Sequence, residues 1–215
     1  MNTGIAGFSN TTGIVAIDIT DGGDGSGDVD FTALDPVIDA YYARNNNVAF
    51  TLQSADTLLI GAGEEGDFLT FIGARDNLQL TNQHITVDSG VGLTAANAKT
   101  IAADTTGTVT ATIDSSERLV DLVDLRQPNA GVNETNAFTI VISTDDATIG
   151  NAAHLNTIDD ATSVAVNAAN VTSLTGTASA LNTLYTAATS GGGATVTGLN
   201  AQFDILVYSK SDLVS

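Results

Sequence analysis

The chain has 215 residues and no cysteine, and its 25 Asp and Glu residues against 6 Lys and Arg residues give a formal net charge of −19. A negative field of this size repels phosphate backbones, which argues against nucleic acid as a partner, and a chain without thiols forms neither disulfides nor thiolate metal sites. Hydrophobic residues make up 43% of the chain and aromatic residues only 5%, so Val, Ile, Leu and Ala must fill the core.

The first ninety residues are predicted to be rich in β-structure. Residues 13–19 alternate as a strand does, and the apolar residues of 31–43 are spaced as on a helix. From Val48 to Val87, apolar runs follow one another at intervals of about ten residues, which favours an antiparallel meander or part of a sandwich. The strands predicted there lie at residues 48–52, 57–60, 68–72, 78–80 and 85–87.

Between residues 91 and 200 the pattern changes to alternating helices and strands. The phrase Leu155-Asn156-Thr157-Ile158, followed by Ala161-Thr162-Ser163, returns about 26 residues later in a closely similar form from Leu181. Self-similarity at a period of about 20–50 residues is typical of stacked units that cannot bury an apolar face alone. Helices are predicted at residues 93–103, 116–125, 152–158 and 178–187. Strands are predicted at residues 108–113, 138–142, 163–166, 194–197 and 203–208.

These patterns predict an α+β protein in three parts. Residues 1–90 form a β-rich, meander-like or sandwich-like domain with one helix, residues 91–200 form a domain of repeated helix–strand units, and residues 201–215 form a closing strand and tail. The strand at 108–113 predicts which side of the sheet faces outward, because apolar side chains alternate with threonines. The core set is Val109, Ala111 and Ile113, and the outward set is Thr108, Thr110 and Thr112. Such an outward face is either a contact surface or a solvated sheet face.

An acidic loop is the best candidate for a cofactor site. Six oxygen-bearing residues fall on positions one, three, five, seven, nine and twelve of a twelve-residue calcium loop, a spacing that supplies the hard oxygen ligands calcium prefers. They are Asp24, Ser26, Asp28, Asp30, Thr32 and Asp35. In this the loop resembles those of dockerins and EF-hands, but Val29 stands where the motif has Gly, and a strand precedes the loop. The alternative is a Gly/Asp connector that caps a helix.

No grouping of side chains predicts catalysis. His84 and His154 lie far apart in the sequence without a metal-binding motif, and the chain lacks a G-x-S-x-G nucleophile elbow and a phosphate-binding G-x-x-x-x-G-K-S/T loop. Adjacent carboxylates do not by themselves converge on a substrate. The adjacent pairs are Glu64-Glu65, Asp145-Asp146, which is expected to cap a helix, and Asp159-Asp160, which is expected to be solvated. The prediction is therefore that the protein is not an enzyme.

The ends and the hydropathy of the chain predict its location. Residues 1–10 contain neither a basic residue nor an apolar run, so they do not read as a secretory signal, and no stretch approaches the length of a membrane helix. The expected location is a virion, or alternatively a cell surface reached by a leaderless export route, with no insertion into a membrane.

The amino-acid sequences of the repeats resemble those of repeats in known large proteins. The segments at 93–98 and 105–112 and the one that begins at Leu155 are similar to Ala/Thr/Asn-rich repeats of large cyanobacterial and other bacterial surface proteins, including RTX-type adhesins, and of cyanophage structural proteins. The glycine-rich calcium nonapeptide of RTX proteins is absent from the sequence.

This resemblance implies a non-enzymatic structural protein on the exterior of a particle, such as a phage decoration, knob, tail or fibre protein. Its partners would be other copies of itself or other virion or surface proteins. The alternative is a calcium-binding adhesin or surface-layer fragment, and the third hypothesis is a carbohydrate-active enzyme on a β-rich repeat scaffold.

Overall fold

The described part of the chain contains thirteen short strands and five helices, besides helical residues at 31, 32 and 34–36. The computed structural model describes residues 15–18, 28–32, 34–36, 50–53, 57–73, 78–80, 83–88, 90, 92–125, 136–144, 150–189, 195–199 and 205–207. The strands are β1 (Val15–Asp18), β2 (Asp28–Asp30), β3 (Phe50–Gln53), β4 (Thr57–Ile60), β5 (Leu78–Gln79), β6 (Ile85–Val87), β7 (Val109–Thr112), β8 (Ala137–Thr139), β9 (Gly150–Asn151), β10 (Val166–Asn167), β11 (Leu174–Gly176), β12 (Val196–Thr197) and β13 (Ile205–Val207). The helices are α1 (Glu65–Gly73), α2 (Ala95–Asp104), α3 (Leu119–Leu122, continued by a 3-10 turn at Val123–Leu125), α4 (Ala152–Asp159) and α5 (Ala178–Thr189).

Successive strands pair in parallel and form long stacks. The largest sheet has the order β2-β4-β6-β7-β8, and a parallel bridge between Val141 and Asn167 continues it to the β10-β12 pair. Two further sheets have the orders β1-β3-β5 and β13-β11-β9. Leu58 of β4 lies opposite Ile85 of β6, which in turn lies opposite Val109 of β7. The chain therefore winds as a stack of coils, and each coil adds strands to the sheets of the coil before it.

The helices stack in the same order as the strands. Each of α1 to α4 contacts the next helix along the chain, and the 3-10 turn after α3 packs between α2 and α4. The buried faces of the helices and strands form one apolar cluster that runs from Phe31 to Val196. Aromatic side chains fill it in the early coils, where Phe31, Phe68 and Phe71 make edge-to-face and stacked contacts.

Local sequence explains where the helices begin. The side chain of Thr94 accepts a hydrogen bond from the Asn97 N–H at 3.2 Å, and this satisfies a free donor in the first turn of α2. The Asn151 Oδ1 atom accepts the Ala153 N–H at 2.9 Å at the start of α4. These caps place each helix directly after the strand or bridge that precedes it.

Polar side chains bind neighbouring coils to each other. The buried Thr162 hydroxyl donates to the Phe138 carbonyl at 2.8 Å, and the Asn170 side-chain amide donates to the Ile142 carbonyl at 2.8 Å. Each bond joins residues 24 or 28 positions apart, which is about one coil. The register of the stack is therefore fixed by hydrogen bonds as well as by the alternation of buried residues.

Two predictions for residues 48–87 are wrong within the described residues. All described strand pairs there are parallel and not antiparallel, because the chain returns between strands through α1 and through longer connections and not through hairpins. The segment 68–72 lies in helix α1 and not in a strand. Its buried residues Phe68, Phe71 and Ile72 have the spacing of one helix face, which a short apolar run does not distinguish from a strand.

Most of the other predicted elements are confirmed where the structure describes them. Strands lie at β1, β4, β6, β7 and β8, and helices α2, α4 and α5 coincide with the predicted ones to within about two residues. Residues 31, 32 and 34–36 of the helix predicted at 31–43 are helical, and the rest lies outside the described residues. The short strands β2, β9 and β11 were not expected.

The chain is thus a mixed α/β protein with parallel sheets. The division at residue 90 stays a prediction, and the largest sheet contains strands from both sides of it, since β6 pairs with β7. Within the part of the chain that the structure describes, no helix is both long enough and apolar enough to cross a membrane.

Candidate functional site

The outer surface of the largest sheet and its continuation is the best-defined exposed feature of the fold. On β7 the apolar residues Val109 and Ala111 are buried, whereas Thr110 and Thr112 are exposed, so the predicted orientation of this strand is confirmed. The same alternation continues through β8, β10 and β12. We call the outward set the threonine face; it consists of Thr108, Thr110, Thr112, Ala137, Thr139, Val141, Ser163, Ala165, Asn167 and Thr197.

The register aligns these side chains in columns across the strands. Thr112 lies opposite Thr139, and Thr110 lies between Thr86 of β6 and Ala137 of β8. Neighbouring strands are about 4.8 Å apart, and alternate residues of one strand are about 6.6 Å apart. Small side chains, six of the ten β-branched and therefore restricted in rotation about χ1, form regular columns on this side of the sheet.

The ten side chains of the threonine face are uncharged, although the whole chain has a formal net charge of −19. Two carboxylates border this face at its Thr112 end. Exposed Asp88 follows β6 on the outward side, beside Thr112 in the register, and Asp114 lies two residues after Thr112. Asp121 and Asp124 are exposed on the helical side.

The described part of the acidic loop does not form a turn. Asp28–Asp30 is strand β2, which pairs in parallel with β4, so the backbone at Val29 is extended where a calcium loop bends sharply. The Asp30 carboxylate accepts the Thr32 N–H at 2.8 Å, as a helix cap does. Asp35 is half-buried in the helical turn that follows. Since Asp24 and Ser26 lie outside the described residues, calcium binding stays a prediction.

Glu64 connects two coils in a way that the sequence did not reveal. One carboxylate oxygen accepts the Gly61 N–H at 2.8 Å, and the other accepts the hydroxyl of Thr32 from the preceding coil. No local pattern signals the contact with Thr32, because the two residues lie 32 positions apart in the sequence. Both oxygens of the Glu64 carboxylate therefore accept hydrogen bonds that hold the fold together.

Two carboxyls at the ends of helices have raised pKa values. Burial raises the pKa of Asp104 at the end of α2. Burial also raises the pKa of Asp159 at the end of α4, with a smaller contribution from the neighbouring charge of Asp160 and an opposing one from a hydrogen bond that the Thr195 hydroxyl donates at 2.9 Å. Each has one buried oxygen without a hydrogen-bond partner. The sequence predicted that Asp159 is solvated, but its carboxyl is half-buried.

The histidines and the remaining carboxylates do not converge. The Nδ1 atom of the exposed His84 accepts the Thr108 N–H at 3.1 Å, and His154 lies in the first turn of α4. Among the described residues, no group of three or more His, Asp or Glu side chains is placed to hold a metal ion. The pair Asp145-Asp146 lies outside the described residues.

Comparison of the chain with known protein families, with curated proteins and with solved structures finds no match.

Proposed function

We propose that the chain is a non-enzymatic structural protein on the exterior of a particle, and specifically a phage virion component of the decoration, knob, tail or fibre type. The observation that carries the proposal is the threonine face, a flat and uncharged surface on a continuous stack of coils. Surfaces of this kind suit contact with another flat protein surface, because no charge has to be desolvated when they meet.

The acidity of the rest of the chain fits the same role. Net charge far from zero keeps a protein soluble and prevents unspecific association. The side chains of the threonine face are themselves uncharged, so contact through them buries no charge of their own, while the acidic remainder of the surface faces solvent. The resemblance of the repeats to cyanophage structural and bacterial surface proteins favours a particle exterior over an intracellular scaffold.

Analysis of purified particles tests the proposal. Virions from the organism that encodes the chain are purified by density gradient, and their proteins are quantified by mass spectrometry. We expect the chain to be present in stoichiometric amounts and to be labelled on intact particles by an antibody against the folded protein. An internal capsid component serves as the control that intact particles exclude the antibody. Particles without the chain would contradict the proposal.

A calcium-binding adhesin or surface-layer fragment is the second candidate, and the spacing of oxygen-bearing residues in the acidic loop favours it. In that case calcium titration releases heat and raises the melting temperature, and Asp28→Asn removes both effects. Asp121→Asn, at an exposed carboxylate on α3, is the matched control and retains them. Absence of heat with wild-type protein at millimolar calcium would count against this candidate.

A further inference from the structure

We infer that the end of the stack formed by α5 and β12, here called the α5 end, binds the first coil of a second copy of this chain, so that copies join end to end. The inference rests on the proposed function and deepens it, because it identifies a partner and the surface that meets it. It starts from two residues at equivalent positions of the repeat, Asn156 on α4 and Asn182 on α5.

The side-chain amide of Asn156 binds the coil that follows it. Where α4 contacts α5, Asn156 is half-buried and its amide donates to the carbonyl of Ala180, in the first turn of α5, at 3.0 Å. Asn182 is exposed. Each asparagine follows a buried leucine, Leu155 or Leu181, so the two side chains leave their helices in the same direction relative to the core. Asn182 therefore exposes the donor group that, one coil earlier, binds the first turn of the next helix.

The sheet has a matching edge at the same end of the stack. The carbonyls of Thr195 and Thr197 accept hydrogen bonds from the segment of β10, so the backbone groups of Val196 between them point to the opposite edge of β12. Among the described strands, none pairs with that edge. Such an edge is a template for a further strand. A coil with a parallel strand and a helix would therefore complete β12 and Asn182 together.

The first described coil of a second copy has this form. Strand β2 is the first in the order of the largest sheet, and the helical residues at 31, 32 and 34–36 follow it. Because β12 is the last described strand of the same stack, placing copies end to end continues the parallel pairing from β12 to β2 of the second copy.

Charge favours contact between unlike ends. Neither α5 nor β12 contains a charged residue, whereas β2 contains Asp28 and Asp30. Contact between two first coils would bring these carboxylates together, which lowers affinity strongly. Contact between the α5 end and a first coil places an acidic strand against an uncharged one. Such a contact joins two different surfaces and does not close on itself, so it builds an open series of copies.

Sedimentation equilibrium of the protein from about 10 μM to about 1 mM tests the inference. The average mass should rise with concentration and pass that of a dimer, because the series is open. Asn182→Asp removes the donor and places a carboxylate opposite the acidic first coil, so it should weaken association at least about tenfold. Asn182→Ala removes only the hydrogen bond and should weaken association about two- to tenfold.

Ser179→Asp is the matched control and should retain association. Its counterpart on α4 is Ala153, which is exposed although α5 lies beside that helix, so position 179 lies outside the expected contact. Circular dichroism and thermal melting verify that each variant is folded.

Cross-linking identifies which ends meet. The chain has no cysteine, so a single introduced thiol reacts without interference. A short bismaleimide should link Asn182→Cys protein to Asp30→Cys protein when the two are mixed, with a tag on one of them to mark mixed pairs. Thr100→Cys, on the exposed side of α2 in the middle of the stack, replaces Asn182→Cys in the control mixture and should link poorly.

Any of four results would overturn the inference. They are protein that stays monomeric to about 1 mM, an average mass that levels off at that of a dimer, equal weakening by Asp at positions 179 and 182, and Asn182→Cys protein that links to itself as efficiently as to Asp30→Cys protein. Such results would leave particle incorporation untouched, since that is measured on virions. Conversely, end-to-end association of a chain that virions lack would overturn only the proposed function.

Discussion

The hydroxyl of Thr105 donates a hydrogen bond of 2.7 Å to the backbone carbonyl of Gln83, 22 residues earlier in the preceding coil. The same oxygen accepts the Gly107 N–H at 3.0 Å, so one threonine both turns the chain after α2 and attaches it to the coil below. Thr162 repeats this arrangement after α4, where it donates to Phe138 and accepts the Val164 N–H at 3.1 Å.

These threonines should contribute measurably to stability. Thr162→Val keeps the shape of the side chain but leaves the carbonyl of the buried Phe138 without this donor, so we expect a loss of about 1–2 kcal/mol in the free energy of unfolding. Thr112→Val on the threonine face is the control and should change it by less than about 0.5 kcal/mol. Urea denaturation followed by circular dichroism measures both. Equal midpoints for wild type and Thr162→Val would contradict the assignment.

Close approach of backbones between coils should make Gly107 intolerant of a side chain. A Cβ atom at this position would lie 2.2 Å from the Gln83 carbonyl oxygen, which is backbone and cannot rotate away. We expect Gly107→Ala to destabilise the protein by about 1–3 kcal/mol.

The matched control for this substitution is Gly66→Ala in α1, where no heavy atom lies within 4 Å of the added carbon. Ala has the higher helix propensity, so Gly66→Ala should be neutral or stabilising by up to about 1 kcal/mol. Thermal denaturation compares the melting temperatures of the two variants with that of the wild type. A Gly107→Ala protein as stable as wild type would show that the backbones of neighbouring coils are not so close at this position.

Sequence periodicity predicted the second half of the fold better than the first, for a physical reason. Leu155 and Ile158 on α4 and Leu181 and Leu184 on α5 are all buried, so the phrase that recurs in the sequence marks equivalent buried positions in successive coils. The parallel pairing of β4 with β6 is not encoded locally. It depends on a crossover of more than twenty residues, and alternation along a single strand is the same in parallel and antiparallel sheets.

The candidate site was predicted in part. Alternation of Thr and Val in β7 gave the direction of each side chain, because half-buried strands follow a period of two. The extension of the threonine face across β8, β10 and β12 required the register, which aligns residues such as Thr112 and Thr139 from distant segments. The hydrogen bond between Glu64 and Thr32 could not be predicted either, because it joins residues from distant segments of the sequence.

Asn136 joins three segments of the stack and should be sensitive to truncation. Its Oδ1 atom accepts the N–H of buried Val109 at 3.0 Å, and its carbonyl accepts the Ser163 N–H at 2.8 Å. Asn136→Ala would leave the Val109 N–H without a partner in the interior, which costs about 1–3 kcal/mol. Asn182→Ala, on the exposed side of α5, should not destabilise. Hydrogen exchange at Val109 provides a local readout, and unchanged protection in Asn136→Ala would contradict the role.

Stability should rise as the pH falls from neutral, because of the carboxyls of Asp104 and Asp159. Burial raises both pKa values in the folded protein above the ordinary 3.8, so the folded state binds protons that the unfolded state has released. Their favourable contribution is complete below pH 3.8 and is lost as the pH rises through the raised pKa values. Both carboxyls lie at the C-terminal end of a helix, where a negative charge is disfavoured.

Asp104→Asn should therefore stabilise the protein at pH 7, by up to about 1 kcal/mol from the helix-end charge alone. The advantage over wild type should shrink toward zero as the pH approaches 3.8, because the protonated aspartic acid and the amide are then both neutral. The difference in melting temperature between variant and wild type, measured at several pH values, removes effects common to both proteins. Asp121→Asn on the exposed side of α3 is the control. A difference that stays constant with pH would show that Asp104 does not titrate differently in the folded and unfolded states.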